Sequence, residues 1–293
     1  MNIGIIGANG FIGSSLLEHF ARLGMPCSAF SRRQLPEELS EFAAGEYMLE
    51  ANNLDRQLRR LDYAIVCTGS MTPADNISPE QIHSAAQESL LIEKSIRNSK
   101  TGIVFLSSGG AVYGNTDNSP TKESTACAPI SIYGKYKLAL ERQVHELCLK
   151  YRKRLLITRL SNPYGPRQKS DKGQGLIARL KHCRTHNEIF TLWGDGLAVR
   201  DYIHIEDFCR FVQLALGSNT TGTYNVGSGV GHSILDIIKM FNDFDTGHQI
   251  IIEQIEGRKC DVSKITLDIS KAKSELNWHP NYKTKEGIYN LLK

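Results

Sequence analysis

The sequence predicts an α/β fold built on a doubly wound parallel sheet and followed by a smaller C-terminal mixed α/β lobe. Three observations carry that prediction. Short apolar runs alternate with longer stretches of helical period, a glycine-rich turn stands directly behind the first of those runs, and the gaps between elements are mostly short. The regularity breaks at Asn162-Pro163-Tyr164-Gly165-Pro166. The chain therefore divides into residues 1–165, which carry the sheet, and 166–293, which carry the lobe.

Asn2 to Ile6 reads as a buried strand, and the helical pattern behind it runs to about Leu23, where Gly24 closes it. Cys27 to Ser31 and Tyr63 to Cys67 are further short apolar strands. A helix from about Pro79 to Asn98 precedes a strand at Ile103 to Leu106. A second long amphipathic stretch covers about Ser131 to Tyr151, and Leu155 to Leu160 is another buried strand. Beyond the break, helices are expected near Gly175 to Arg184, Ile205 to Leu216 and Ser233 to Asn242. Short strands are expected at Thr223 to Val226 and Gln249 to Glu253. There is no internal repeat, low-complexity tract or flexible linker.

Composition excludes several classes. The 293 residues are 41% hydrophobic and 23% charged, which suits a globular protein and neither a disordered nor a fibrous one. Lys and Arg number 35 against 31 Asp and Glu, and a net charge of +4 advertises neither a nucleic-acid nor a membrane partner. The seven cysteines are scattered, without a CxxC pair or a cluster with the histidines, so no disulfide framework and no metal site is expected. The apolar start MNIGIIGANGFIG lacks a basic flank and is broken by glycines. No apolar run approaches about 18 residues, and a reduced cytoplasmic location is expected.

Gly7-Ala8-Asn9-Gly10-Phe11-Ile12-Gly13 follows the first strand and opens the first helix. Glycines in that setting permit a tight turn, close approach of backbone to a pyrophosphate and close packing of helix on strand, while free N–H groups at the helix start attract phosphate. Gly7, Gly10, Phe11, Ile12 and Gly13 are therefore candidate contacts to a dinucleotide, with Thr68 and Gly69 behind the Tyr63 strand. An acidic residue at the end of the second strand would hold both ribose hydroxyls of NAD. Here that strand ends Phe30-Ser31-Arg32-Arg33. A hydroxyl and two guanidiniums suit a 2′-phosphate, so NADP(H) is the preferred cofactor and NAD(H) the alternative. The plainer reading is that Arg32 and Arg33 are solvated surface cations.

Tyr133-Gly134-Lys135-Tyr136-Lys137 lies near the start of a helix, where residues i and i+4 share a face. A lysine ammonium beside the phenol favours phenolate, which would make Tyr133 a general acid or base. Taken with the glycine turn and with Ser107-Ser108-Gly109-Gly110-Ala111-Val112-Tyr113-Gly114 after a buried strand, this order of motifs resembles the extended short-chain dehydrogenase/reductase superfamily, in its nucleotide-sugar epimerase, dehydratase and reductase branch. The resemblance continues through Asn162-Pro163-Tyr164-Gly165-Pro166-Arg167, Gly194-Asp195-Gly196, Arg200-Asp201-Tyr202-Ile203-His204, Tyr224-Asn225-Val226-Gly227, Gly257-Arg258 with Asp261, Asp268 to Ala272 and Leu276 to Pro280. It thus spans nearly the whole chain.

The resemblance implies a Rossmann-like domain in which Tyr133 exchanges a proton with a sugar oxygen, usually O4, and Lys137 holds the nicotinamide ribose. The family's helping hydroxyl falls on Gly109, and Ser108 is the nearest substitute. A nucleoside-diphosphate sugar is the implied substrate, UDP- or dTDP-linked. Asn162 would touch the diphosphate or sugar, Arg200 and Arg258 would neutralise it, and Asp261 would assist at the nucleoside ribose. The plainer readings are a solvated Arg258, an Arg200–Asp201 surface pair, and Trp193 as a core residue. Within that branch, Ser31, Arg32 and Arg33 suggest NADP, which cells keep largely reduced, and so favour reduction of a 4-keto sugar, with UDP-hexose 4-epimerisation as the alternative and a non-catalytic NADP-binding regulator as the reading from another class. Gly110-Ala111 supplies no acid pair for a dehydratase. The family further implies a homodimer built from the helices near 79–98 and 131–151, and a return of the segment near 200–216 onto the main domain.

Overall fold

The computed structural model describes residues 1–49, 53–69, 71, 78–116, 119–170, 175–244, 249–257 and 262–293. In chain order the first elements are β1 (Ile3–Ile6), α1 (Phe11–Arg22), β2 (Cys27–Ser31), α2 (Glu37–Ser40), β3 (Ala43–Met48), α3 (Leu54–Leu58), β4 (Tyr63–Val66), α4 (Pro79–Asn98), β5 (Gly102–Ser108), α5 (Ile132–Tyr151) and β6 (Arg154–Leu160). They are followed by β7 (Asn162–Tyr164), α6 (Leu176–His186), β8 (Ile189–Trp193), β9 (Val199–His204), α7 (Ile205–Gly217), β10 (Gly222–Val226), β11 (Gly231–Ser233), α8 (Ile234–Asn242), β12 (Ile251–Ile255), α9 (Ser270–Leu276) and α10 (Thr284–Leu292).

The main sheet has seven strands in the order β10-β6-β5-β4-β1-β2-β3. β1 pairs in parallel with both β2 and β4, and the pairs β2/β3 and β4/β5 are parallel as well. Strand order reverses between β1 and β4. Loops at the carboxyl ends of strands on either side of such a reversal form the usual ligand crevice of an open α/β sheet. Two smaller sheets, β11-β9-β7 and β12-β8, complete the strands among the described residues.

Two compact units can be drawn. One holds Met1–Ser107, Tyr136–Thr158 and Ala215–Thr223, and the other Ser108–Lys135, Arg159–Leu214 and Tyr224–Lys293. The core of the first joins strand residues Ile6, Val66, Phe105 and Ile157 to Ile92 and Ile96 of α4 and to Leu140, Val144 and Cys148 of α5. The four-residue spacing of these helical positions lines up one apolar stripe per helix, and each buried aliphatic side chain contributes about 1.5–3 kcal/mol. α4 begins with a reciprocal cap: Gln81 N–H donates to Ser78 Oγ, and Ser78 N–H to Gln81 Oε1. The core of the second unit gathers Tyr164, Leu180, Phe190, Tyr202, Ile237, Phe241 and Ile288.

The expected alternation of strands and helices is present, with differences where local signal is weak. β3, α2 and α3 occupy a stretch for which the sequence analysis gave no element. β3 reads Ala-Ala-Gly-Glu-Tyr-Met and is nowhere fully buried, so its strand state comes from pairing with β2, Ala29 opposite Glu46 and Ser31 opposite Met48. The strand expected at Gln249 to Glu253 is β12, two residues later. No described helix is long and apolar enough to cross a membrane.

Candidate active site

In the first unit the glycine-rich turn is a built feature. Gly7 has φ +89°, and a Cβ there would stand 3.2 Å from the Cys67 carbonyl carbon at the end of β4. A Cβ at Gly13 would meet Ala8 Cα at 2.9 Å and overlap the Gly7 carbonyl, so helix and turn approach as only glycine permits. Gly7 and Ala8 N–H both donate to Phe30 O, at 2.8 and 3.1 Å, which fixes the turn against β2. Gly10 caps α1 without a side-chain bond, and no acidic residue stands in its first turn. The backbone N–H groups of Phe11, Ile12 and Gly13 therefore begin a 12-residue helix with no competing anion. These residues fit a dinucleotide pyrophosphate.

At the end of β2, Arg32 and Arg33 are exposed, whereas Ser31 is buried and its hydroxyl donates to Arg33 O. The Ser31 hydroxyl thus holds the turn that presents the two guanidiniums. A cavity of about 330 Å³ beside it is lined by Ser31, Gln34, Glu46, Tyr47 and Met48. Glu46 comes from β3, and its Oε2 accepts from Leu35 N–H at 3.4 Å. This carboxylate was not anticipated, because it reaches the cavity through strand pairing and not through spacing along β2.

Lys137 of α5 is 5% exposed, with Nζ donating to Leu106 O at 3.3 Å and lying 5.6 Å from the Phe105 ring centroid. Burial pushes the Cys67 thiol up to about 12, with the charge of Lys137 opposing the shift. The lysine therefore stands near the carboxyl ends of β4 and β5. Thr68 follows directly, its hydroxyl donating to Glu88 Oε1 at 3.1 Å, and Gly69 is exposed.

In the second unit Tyr133 is half-buried and lies outside the apolar core, one turn before Lys137 on α5. Gly134 allows this first turn to come close to the Ala111 loop, since a Cβ there would stand 2.6 Å from Ala111 O. Ser108 is partly exposed. Its carbonyl accepts from Ala111 and Val112 N–H at 3.2 and 3.0 Å, so the backbone holds this turn. Gly109 N–H donates to Leu160 O, and Gly110 stands beside the Asn162 amide. Tyr113 of the same motif is structural: its buried hydroxyl donates to Asn225 Oδ1 at 2.7 Å and accepts from Arg159 at 3.0 Å.

Asn162 Nδ2 donates to Asp201 O at 3.1 Å, and its strand pairs with β9, on which Arg200 is partly exposed. Asp201 turns inward. Its carboxylate accepts from Ser228 N–H and Oγ, Gly229 N–H and Leu267 N–H, and burial pushes the carboxyl up while those donors oppose the shift. The surface Arg200–Asp201 pair is thereby corrected: the acid is buried and bonded to the 228–229 turn and to Leu267. His204 likewise packs 4.0 Å from the Tyr282 ring, and burial lowers its pKa. Trp193 is 46% exposed, so its expected place in the core is corrected as well. Arg258 and Asp261 lie outside the described residues.

A family model described as the NAD dependent epimerase/dehydratase family matches residues 3–227. The chain is 26% identical over 306 aligned residues to dTDP-4-dehydro-6-deoxyglucose reductase of Escherichia coli, covering 99% of this chain and 96% of the reductase. Among solved structures it is similar to UDP-glucose 4-epimerase from Thermotoga maritima with UDP-glucose, at TM-score 0.86, 27% identity and coverage of 100% and 97% of the two chains. MoeE5 in complex with UDP-glucose and NAD is similar at TM-score 0.87 and 26% identity, again covering 100% and 97%.

Proposed function

The chain belongs to the NAD dependent epimerase/dehydratase family, and from that premise we propose that this enzyme reduces the 4-keto group of a UDP- or dTDP-linked sugar with NADPH. The reading is supported above all by Tyr133 and Lys137 standing one turn apart on α5, the phenol outside the core and the ammonium tied to Leu106 O. When bound, the cofactor would supply hydride exchange at sugar C4. Gly7, Gly10, Phe11, Ile12 and Gly13 would hold its pyrophosphate, Thr68 and Gly69 would flank it, and Lys137 would orient the nicotinamide ribose.

Tyr133 would deliver the phenolic proton to O4, with the Ser108 hydroxyl bonded to the same oxygen. Asn162, Arg200, Arg258 and Asp261 would hold the nucleoside diphosphate, the guanidiniums by paired N–H bonds to phosphate. Residues 1–165 would thus serve chiefly the cofactor and 166–293 the sugar nucleotide, in a cytoplasmic homodimer. Reduction is favoured by the exposed Arg32 and Arg33, which suit a 2′-phosphate, and by likeness to the Escherichia coli reductase over nearly the whole chain.

One observation favours a second reading, UDP-hexose 4-epimerisation with bound NAD. Glu46 brings a carboxylate into the cavity beside Ser31, where it could accept ribose hydroxyls. Incubation with UDP- and dTDP-hexoses and their 4-keto-6-deoxy derivatives separates the two, following NADPH absorbance and product chromatography together. Reduction predicts one NADPH consumed per 4-keto sugar, and Tyr133→Phe should lower turnover about 10²- to 10⁴-fold while cofactor affinity holds. Interconversion of hexoses without net cofactor change would establish the epimerase instead. A chain that binds NADPH yet alters no nucleotide sugar would be the regulator.

A further inference from the structure

We propose that Glu88 of α4 is a positioning residue that couples the loop after β4 to α5, setting the cofactor's fit from behind; the inference rests on the cofactor reading above. Glu88 is 5% exposed. A carboxylate withdrawn from water is costly unless its oxygens accept hydrogen bonds, and here each accepts a hydroxyl. Thr68 Oγ1 donates to Oε1 at 3.1 Å, and Tyr136 OH donates to Oε2 at 2.9 Å.

The two donors come from different segments. Thr68 stands at the end of β4 beside the glycine-rich turn, and Tyr136 is the chain neighbour of Lys137. One buried acid therefore fixes the cofactor loop and the helical turn that carries the lysine, while Lys137 is held from the other side by Leu106 O. Hydrogen bonds are directional, so the two that reach this buried acid specify geometry as apolar contacts do not. Packing of α4 on α5 has other sources: the stripe of Ile92, Leu140 and Val144, and the bond from Gln143 Nε2 to Ser89 Oγ at 2.6 Å. Glu88 is not required for that packing alone.

The test is a mutant cycle read by NADPH fluorescence titration, with cofactor-free melting curves in parallel. Thr68→Val and Tyr136→Phe should each weaken NADPH binding about tenfold, and neither should add to the loss already present in Glu88→Ala. Glu88→Gln keeps the volume and can still accept one hydroxyl, so it should fold and lie between wild type and Glu88→Ala. Gln143→Ala, which removes an α4–α5 bond outside this set, should lower the melting temperature and leave NADPH affinity unchanged. Additive losses, or a Gln143→Ala variant as poor in NADPH binding as Glu88→Gln, would reduce Glu88 to a packing residue. A wild-type chain that binds neither NADPH nor NADH would overturn the cofactor reading itself, and the coupling with it.

Discussion

A Cβ placed on Gly109 would stand 2.6 Å from Leu267 Cδ1 and 2.8 Å from Arg159 O. The first neighbour is a side-chain tip that can move; the second is strand backbone that cannot. The family hydroxyl implied at this position therefore has no room in this chain, and under the proposed function Ser108, the partly exposed neighbour, would supply it. Gly110 differs: a Cβ there would meet nothing nearer than the Asn162 amide at 3.7 Å, an ordinary contact. Gly109→Ser should then cost about 1–3 kcal/mol by overpacking, seen as a lower melting temperature, and should not raise turnover. Gly110→Ser should melt like wild type. A Gly109→Ser enzyme that keeps its stability and gains activity would show that the strand end can take the family arrangement after all.

At the level of elements, the strand–turn–helix unit of β1 and α1 was legible because its signals are local: an apolar run, glycines at fixed steps, then helical period. The region between β2 and β4 was not, because β3 is held by its neighbour and not by its own residues. The same limit hid Glu46 and Glu88, which meet the candidate site through strand pairing and helix packing. β9 also carries scaffold roles that spacing does not reveal: Asp201 holds the 228–229 turn, and Asp207 just beyond accepts from Asn281 and Tyr282 N–H. The end of β2 poses the cofactor question at this scale. Arg32→Asp should lower the NADPH to NADH affinity ratio by about tenfold or more, since a carboxylate repels the 2′-phosphate and accepts ribose hydroxyls. Glu46→Gln is the converse probe and should weaken NADH alone if Glu46 serves the ribose. An unchanged ratio in Arg32→Asp would mark the two arginines as solvated surface charge.

For the molecule as a whole, the remaining issue is how many copies act together. Apolar positions on α4 and α5 suit either burial within one chain or contact with a second, and they fall into a buried set and an exposed set. Ile92, Leu140, Val144 and Cys148 face the core, whereas Ile82 and Leu90 of α4 are 62% and 61% exposed and Leu149 of α5 is 68% exposed. Scattered apolar residues on a surface are ordinary, but one isoleucine and two leucines on adjoining long helices suit pairing with a second copy. Helices of 20 residues are about 30 Å long, enough for the roughly 1,200–2,000 Å² of total buried area that a stable dimer needs. Light scattering on the eluting peak should give twice the chain mass, and the melting temperature should rise with protein concentration by mass action. Leu90→Lys with Leu149→Lys should halve the mass and abolish that concentration dependence while leaving the far-ultraviolet circular dichroism intact, because neither side chain supports the core. A wild-type chain that elutes as a monomer at tens of micromolar, or a charged double variant that still pairs, would remove α4 and α5 as the dimer surface.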